Sequence, residues 1–243
     1  MHYVTGTATE LGARLWSALG HYRYKVFVQH LGWDLPDATE NGEWDQFDRP
    51  ETVYVIALSA MGGIAGCARL LPTTRDYLLA DVFPQLLDGS PAPRSPTTWE
   101  LSRFTALDAS VPAGTPHTLG SPRALDLLRA AMHEATCRGA RTLVSVSPVA
   151  IQRILRHAGF QYAALGRTHH IDGHALFACS MAMRPALDSV PGRPTRTRDQ
   201  SRSPVAPVSI SPQEAVHFRD DRRTRDAYRA FQTTALMQQT MKD

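Results

Sequence analysis

Residues 99–104 run Trp99-Glu100-Leu101-Ser102-Arg103-Phe104, and this stretch decides how the rest of the chain is interpreted. Its Trp, Leu and Phe residues are typical of a β-strand, yet a carboxylate, a hydroxyl and a guanidinium interrupt them. A buried charge is costly unless it is paired. The stretch is therefore either an edge strand with solvated charges or the floor of a pocket in which both charges have partners.

The spacing of the two charges poses a geometric problem. In a regular strand Glu100 and Ser102 share one face, whereas Arg103 points to the other. If Glu100 and Arg103 act in one pocket, a β-bulge must lie between them. We therefore predict either that bulge or separate roles, with Arg103 holding the N-terminal loop.

Composition places the chain among soluble globular proteins. Of its 243 residues, 43 % are apolar and 20 % are charged, and no run approaches the roughly 20 apolar residues of a membrane span. The N-terminus lacks the pattern of a signal peptide. The cysteines at 67, 137 and 179 are far apart and have neither zinc nor redox spacing. This predicts reduced thiols, no metal and a cytoplasmic location.

Charge is unevenly distributed along the chain. Residues 184–243 contain 11 Lys and Arg against 7 Asp and Glu, whereas the preceding residues contain 15 against 16. The basic character therefore belongs to the tail, and the bulk charge of the body does not suggest nucleic-acid binding.

Hydrophobic periodicity and turn residues predict an α/β domain with a mixed sheet over residues 1–184. The Gly62-Gly63 pair falls in the turn of a hairpin, and Ser-Pro pairs begin two of the helices. The predicted order is helix 9–30, strands 53–59 and 64–71, helix 76–87, strand 98–106, helix 121–139, strand 141–147, helix 147–159, and strands 160–167 and 175–183.

Two segments fall outside this regular pattern. Residues 34–50 form an acidic loop without periodicity, and a loop of this length in a compact domain is usually functional or disordered. Residues 185–243 begin with a Pro-, Ser- and Arg-rich stretch that contains too few large apolar residues to fold. We predict a largely disordered linker there, with a possible short helix near its end.

Four separated stretches together resemble the acyl-homoserine lactone synthases, the autoinducer synthases of bacterial quorum sensing. They are Arg23-x-x-x-Phe27-x-x-x-x-x-Trp33, Asp45-x-x-Asp48, Arg69-Leu70-Leu71-Pro72-Thr73-Thr74 and the strand at 99–104, joined by Phe83-Pro84. Each is weak alone, but their order and spacing are specific, and the resemblance covers roughly residues 8–183.

The resemblance implies an N-acyltransferase-like three-layer sandwich, with a mixed, mostly antiparallel twisted sheet flanked by helices. It also implies S-adenosylmethionine as a substrate, no resident cofactor, and an acyl thioester on acyl carrier protein as the partner. In that reaction the amine of S-adenosylmethionine attacks the thioester, and its carboxylate then closes the lactone and expels methylthioadenosine.

That chemistry suggests roles for the matching positions. The amine must lose a proton, and Glu100 is the candidate base; its alternative role is as an ion-pair partner of Arg69 or Arg103. Catalytic positions are expected at Glu100, Ser102, Arg103 and Asp45. Substrate-binding positions are expected at Arg23, Phe27, Trp33, Asp48, Arg69, Phe83, Phe104, Ser145 and Ser147.

Each assignment has a structural alternative. The charges at Arg23 and Asp48 are equally consistent with a network that only pins the N-terminal segment to the sheet. Ser145 and Ser147 share one face of their strand and could bind an oxygen on C3 of the acyl chain. Because acyl carrier protein is acidic, a basic face is expected, formed by Arg138, Arg141, Arg153 and Arg156.

Other readings are less favoured by the sequence. His169, His170 and His174 flank a turn and are interpreted as surface-loop residues rather than metal ligands. An acyl-CoA-dependent N-acyltransferase would cradle pyrophosphate with a glycine-containing loop, but the helix after Ser147-Pro148 opens without glycine. A regulatory protein that binds nucleic acid through its basic tail is the non-enzymatic alternative.

Overall fold

The computed structural model describes residues 2–35, 37–108, 121–171 and 173–183. The predicted linker and helix beyond residue 185 lie outside the described residues. No helix among the described residues is both long and apolar enough to cross a membrane. The strands are β1 (His2–Thr7), β2 (Val53–Leu58), β3 (Ile64–Pro72), β4 (Thr98–Thr105), β5 (Thr142–Pro148), β6 (Ala163–Ala164), β7 (His169–Ile171) and β8 (His174–Ala182). The helices are α1 (Ala8–Arg23), α2 (Leu78–Asp81), α3 (Pro122–Cys137) and α4 (Ala150–His157).

The strands form one mixed sheet. Their order is β1-β2-β3-β4-β5-β8-β6, and β7 pairs with β8. Among the described strands, only β4 and β5 pair in parallel, and the other pairs are antiparallel. The expected mixed, mostly antiparallel sheet is therefore confirmed.

Alternation along β2 explains the three layers. Val53 and Val55 pack against Leu127 of α3 on one face of the sheet. Tyr54 and Ile56, which point the opposite way, pack with residues of α1. Helices consequently cover both faces, as in the expected three-layer sandwich.

The N-terminal helix begins at a reciprocal capping box. The Thr7 hydroxyl accepts a hydrogen bond from the Glu10 amide at 3.4 Å, and the Glu10 carboxylate accepts one from the Thr7 amide at 2.7 Å. The helix continues beyond Arg23 as a π-helix over Tyr24–His30. The prediction of a helix over 9–30 is essentially met, but strand β1 was not predicted.

Other boundaries differ for local reasons. The helix predicted over 76–87 is two short pieces, α2 and a 3₁₀-helix over Pro84–Leu87. The strand predicted over 160–167 is wrong except for the two residues of β6. The Arg167 amide donates to the carboxylate of Asp88, and a Cβ at Gly166 would collide with the Leu86 carbonyl oxygen. These two contacts hold residues 166–167 against the end of the 3₁₀-helix.

The predicted bulge is present in β4. Arg69 pairs with Ser102 and Cys67 pairs with Thr105, so β4 carries one extra residue between these two pairings. Within it, Arg103 adopts a left-handed backbone with φ of 48°. The bulge turns the Arg103 side chain toward the loop that follows α1.

Candidate active site

Six charged side chains from four chain segments meet beside the bulge. Arg23 ends α1, Arg69 is mid-strand in β3, Arg103 is in the β4 bulge, and three acids come from the loop before β2. We call this set the charged cluster: Arg23, Glu43, Asp45, Asp48, Arg69 and Arg103. Their side chains are at most 9 % exposed, so the loop predicted to be acidic is folded onto the sheet.

The arginines bridge the acids in pairs. Arg23 donates to the Glu43 carboxylate from Nε at 2.6 Å, and to Asp48 from its two terminal nitrogens at 2.7 and 3.0 Å. Arg103 donates from Nη2 to Glu43 at 3.0 Å and to Asp45 at 2.8 Å. Each arginine therefore holds two acids of the loop, which fixes the loop against the sheet.

Arg69 has a different environment from the other two arginines. Its Nη1 donates to Asp45 at 2.6 Å and to Asp48 at 3.1 Å, and its Nε donates to the Ser102 hydroxyl at 3.0 Å. Its Nη2 is buried and has no hydrogen-bond partner among the described residues. Because an unpaired buried donor is costly, this nitrogen is suited to an incoming anionic group.

The electrostatics favour the charged form of the acids. Burial alone would raise the pKa of Glu43, but Arg103 and Arg23 outweigh it and lower the pKa to about 2. Burial would also raise the pKa of Asp48, but Arg23 and Arg69 outweigh this effect. The pKa of Asp48 is therefore well below its usual range. The two acids are therefore anionic at neutral pH.

Aromatic rings line the same region. Phe27 and Trp33 stack with their centroids 4.5 Å apart. The Arg103 guanidinium carbon lies 5.5 Å from the Phe27 ring centroid and 5.2 Å from that of Trp33. The bulge thus brings a guanidinium and two aromatic faces together.

Glu100 lies on the same face of the sheet but has other partners. Its two carboxylate oxygens accept hydrogen bonds from the backbone amides of Leu78 and Leu79, each at 2.8 Å. The side chain is fully buried, and burial raises its pKa to about 7. Glu100 and Arg103 therefore have different surroundings: Arg103 holds the N-terminal loop, whereas Glu100 lies beneath α2.

The backbone pairing between β4 and β5 ends next to Glu100. The parallel pairing of β4 with β5 extends from Thr98–Thr142 to Glu100–Val144 and ends there. Just beyond this point the Ser145 hydroxyl donates to the Leu101 carbonyl at 3.0 Å and lies 3.4 Å from the Ser147 hydroxyl. Beyond Glu100–Val144 the two strands are therefore joined by a side-chain hydrogen bond, with a second hydroxyl beside it.

The structure brings most, but not all, of the predicted site residues together. Phe83 is fully buried just after α2 in a core that also contains Val144. Phe104, by contrast, packs against the core under α3 on the opposite face. The residues gathered at the charged cluster are Arg23, Phe27, Trp33, Asp45, Asp48, Arg69, Ser102 and Arg103.

Three of the four arginines of the predicted basic face are exposed, and the fourth is held in ion pairs. Arg153 and Arg156 on α4 are exposed, as is Arg141. Arg138 instead pairs with Glu134 at 2.7 Å and Glu10 at 2.8 Å, so its charge is already compensated.

The histidine interpretation needs correction. His169 lies in β7 and bonds to Asp88 at 2.8 Å, and His174 is buried in β8, so these are strand residues rather than surface-loop residues. Among the described residues, no group of three His, Cys, Asp or Glu side chains is arranged to hold a metal ion.

Sequence reasoning missed two contributors to the cluster. Glu43, which joins Arg23 to Arg103, is one of several acids in the loop over residues 34–50, and no periodicity distinguishes it from the others. Trp44 was not noted; it stacks on Trp16 at 3.7 Å and lies 5.0 Å from the Arg23 guanidinium carbon. The available signal was their position immediately before Asp45.

Comparison with known proteins identifies the family. Residues 13–186 match the family model described as autoinducer synthase. The acyl-homoserine-lactone synthase of Acinetobacter nosocomialis is 46 % identical over 180 residues, which cover 74 % of this chain and 98 % of that protein. That of Ralstonia nicotianae is 46 % identical over 164 residues, covering 67 % and 79 % respectively.

A solved structure supports the same relationship. The crystal structure of TofI in a ternary complex with an inhibitor and MTA has a TM-score of 0.64 to this chain at 44 % identity, covering 75 % of this chain and 91 % of that one. The chain belongs to the autoinducer synthase family. Its activity is that of an acyl-homoserine-lactone synthase, an enzyme of the acyltransferase class, as the sequence predicted.

Proposed function

We propose that this enzyme makes an N-acyl-L-homoserine lactone from S-adenosylmethionine and an acyl group carried by acyl carrier protein. The substrate amine attacks the thioester carbonyl, forming the amide C–N bond as the C–S bond breaks and the thiol leaves. The substrate carboxylate then attacks its own γ-carbon, and the C–S bond of the sulfonium breaks to release methylthioadenosine. The second step needs no protein nucleophile.

The observation that carries the proposal is the charged cluster beside stacked aromatic rings. S-adenosylmethionine has a carboxylate, an ammonium and a sulfonium. The unpaired Nη2 of Arg69 supports binding of the carboxylate. The stacked rings of Phe27 and Trp33 support binding of the two cationic groups, and we assign Asp45 and Asp48, which hold Arg69, to the same part of the site. The binding of MTA by TofI is consistent with this use of the site.

Glu100 is proposed as the base that takes the proton from the substrate amine. A pKa near 7 suits general-base catalysis at neutral pH. The amides of Leu78 and Leu79 hold the carboxylate in one orientation and leave further lone pairs for an ammonium or a bridging water. Ser102 and Arg103 complete the proposed catalytic set by holding Arg69 and the acidic loop.

The acyl chain is proposed to enter where β4 and β5 separate. Phe83 and Val144 give apolar surface on one side of the sheet, and the Ser145 and Ser147 hydroxyls lie at the opening. We assign the two serines to an oxygen on C3 of the chain, because a site built to hydrogen-bond such an oxygen discriminates strongly against a chain that lacks it. Phe104 is assigned to the acyl side, on the face covered by α3.

Acyl carrier protein is favoured over coenzyme A as the acyl donor. After Ser147-Pro148, helix α4 opens without a glycine. It therefore lacks the loop that cradles a pyrophosphate. The exposed Arg153 and Arg156 on α4 offer charge to an acidic carrier protein instead.

The test is incubation of the enzyme with S-adenosylmethionine and matched panels of acyl-carrier-protein thioesters and acyl-CoA thioesters. Mass spectrometry should detect the lactone and methylthioadenosine in equal amounts with the carrier-protein thioesters. Turnover with acyl-CoA alone would overturn the assignment of the donor. Absence of methylthioadenosine with every donor would overturn the proposed reaction.

A further inference from the structure

Tyr54 lies beneath the charged cluster, and neither the sequence motifs nor the proposed reaction uses it. It is in β2, only 1 % exposed, and directly opposite Arg69 in the β2–β3 register. Its hydroxyl donates to Oδ1 of Asp48 at 2.7 Å. A buried neutral donor therefore contacts the charged cluster from the side of the sheet.

Asp48 is where this contact has most effect. Its Oδ1 accepts from Tyr54, from Nη1 of Arg23 at 2.7 Å and from Nη1 of Arg69 at 3.1 Å. Its Oδ2 accepts from Nη2 of Arg23 and from the Asp45 backbone amide at 2.7 Å. The carboxylate consequently fixes two arginines and the loop, and its own orientation determines theirs.

The Tyr54 ring is itself held in place. Trp16 contacts it edge-on with a centroid distance of 5.1 Å, and burial together with Asp48 raises the pKa of its hydroxyl well above the usual value. The hydroxyl thus stays protonated and donates in a fixed direction.

We propose that Tyr54 is a positioning residue for the S-adenosylmethionine half of the site. By fixing Asp48 it fixes Arg69, whose unpaired Nη2 is assigned to the substrate carboxylate. The inference rests on the proposed function. It predicts a selective defect, because Tyr54 contacts no residue assigned to the acyl chain: binding of S-adenosylmethionine weakens, and use of the acyl donor does not.

The test uses Tyr54→Phe, which keeps the ring and removes the donor. The matched control is Tyr22→Phe, because Tyr22 is also buried but donates to the Leu107 carbonyl at 2.6 Å, outside the cluster. We expect Tyr54→Phe to raise the KM and calorimetric Kd for S-adenosylmethionine by about threefold to tenfold. The KM for the acyl donor and the values for Tyr22→Phe should stay at wild-type levels.

A double-mutant cycle separates positioning from simple stabilisation. If Tyr54 acts through Asp48, adding Tyr54→Phe to Asp48→Asn should change the Kd for S-adenosylmethionine by a smaller factor than in the wild-type background. An unchanged Kd in Tyr54→Phe, or equal losses for both substrates, would overturn the inference. Calorimetry measures the Kd for S-adenosylmethionine without turnover. A wild-type enzyme that binds S-adenosylmethionine but forms no lactone would therefore overturn only the proposed reaction.

Discussion

At the scale of single residues, Glu100 illustrates how burial prepares a base. It has no ion-pair partner within the described part of the chain, and its two amide donors only partly offset the loss of water. Glu43 and Asp48 are also buried but face guanidinium groups, and the pKa of each falls instead. The neighbouring groups, rather than depth alone, therefore decide which carboxylates can exchange a proton near neutral pH.

The pH dependence of catalysis should follow Glu100. Because the base must be deprotonated, kcat/KM is expected to fall as the pH drops below the Glu100 pKa of about 7. Glu100→Gln should lower kcat by roughly 100-fold and abolish this acidic limb. Steady-state assays of methylthioadenosine release between pH 5 and 9 measure both effects. A Glu100→Gln enzyme with wild-type kcat would remove Glu100 from the mechanism.

The raised pKa of Glu100 should also make the stability of the protein depend on pH. The folded-state pKa of about 7 exceeds the usual 4.5, so the folded protein binds this proton more tightly than the unfolded chain. The free energy of unfolding is therefore expected to decrease as pH rises from 4.5 to 7, by up to about 3 kcal/mol. Urea denaturation should show a smaller decrease for Glu100→Gln. An identical slope in both proteins would contradict the raised pKa.

Some of the site was predictable residue by residue. The conflict between the faces of Glu100 and Arg103 required either a bulge or separate roles; the structure has the bulge, and the two side chains have different partners. Glu43 was not predictable in this way, because loop acids have no periodicity that distinguishes a buried partner from a solvated charge. Only the fold of the loop brings it between Arg23 and Arg103.

At the scale of elements, the approach of α1 to the acidic loop depends on a glycine. A Cβ at Gly20 would lie 2.5 Å from the Trp44 ring, which also stacks on Trp16 of the same helix. The close contact lets Trp44 lie over Arg23. A small residue in the helix thus sets the distance between two elements that form the site.

Gly20→Ala is expected to destabilise the protein despite the better helix propensity of alanine. Overpacking against Trp44 should lower the free energy of unfolding by about 1–3 kcal/mol and raise the KM for S-adenosylmethionine. The control is Gly63→Ala in the β2–β3 turn, where an added Cβ meets nothing closer than 3.7 Å. Chemical denaturation compares the two. A Gly20→Ala protein as stable as the control would show that this contact is not tight.

Element boundaries were hardest to predict where tertiary contacts replace local preference. The apolar letters of 160–167 suit a strand, yet Asp88 and the close approach of Gly166 hold the segment to the 3₁₀-helix. By contrast, β2, β3 and β5 were predicted nearly in full, because their largely apolar runs are bounded by turns or glycines.

At the scale of the whole molecule, the catalytic domain is proposed to end near residue 184. The family match ends at residue 186, and the remaining sequence is basic and Pro-rich. A chain truncated after residue 186 should therefore keep kcat/KM within about twofold of the full chain. Product analysis by mass spectrometry measures this. Loss of activity in a truncated protein that remains folded would show that the tail belongs to the enzyme.

The face presented by α4 should determine how well the acyl donor binds. Charge reversal in Arg153→Glu/Arg156→Glu is expected to raise the KM for the acyl carrier protein about tenfold and to abolish the increase of that KM with salt. The matched control, Arg14→Glu/Lys25→Glu, makes the same change in net charge at exposed positions on the opposite layer. Equal effects of the two double variants would argue against a specific docking face.

The balance of the charged cluster has a consequence for how such sequences can change over time. Within the described residues, three guanidinium groups face three carboxylates from four distant stretches of chain, and none of these side chains is more than 9 % exposed. Losing one member strands an opposite charge in the interior, which typically costs about 3–5 kcal/mol. A single replacement at any of these positions is therefore expected to be more costly than a paired replacement that removes one charge of each sign.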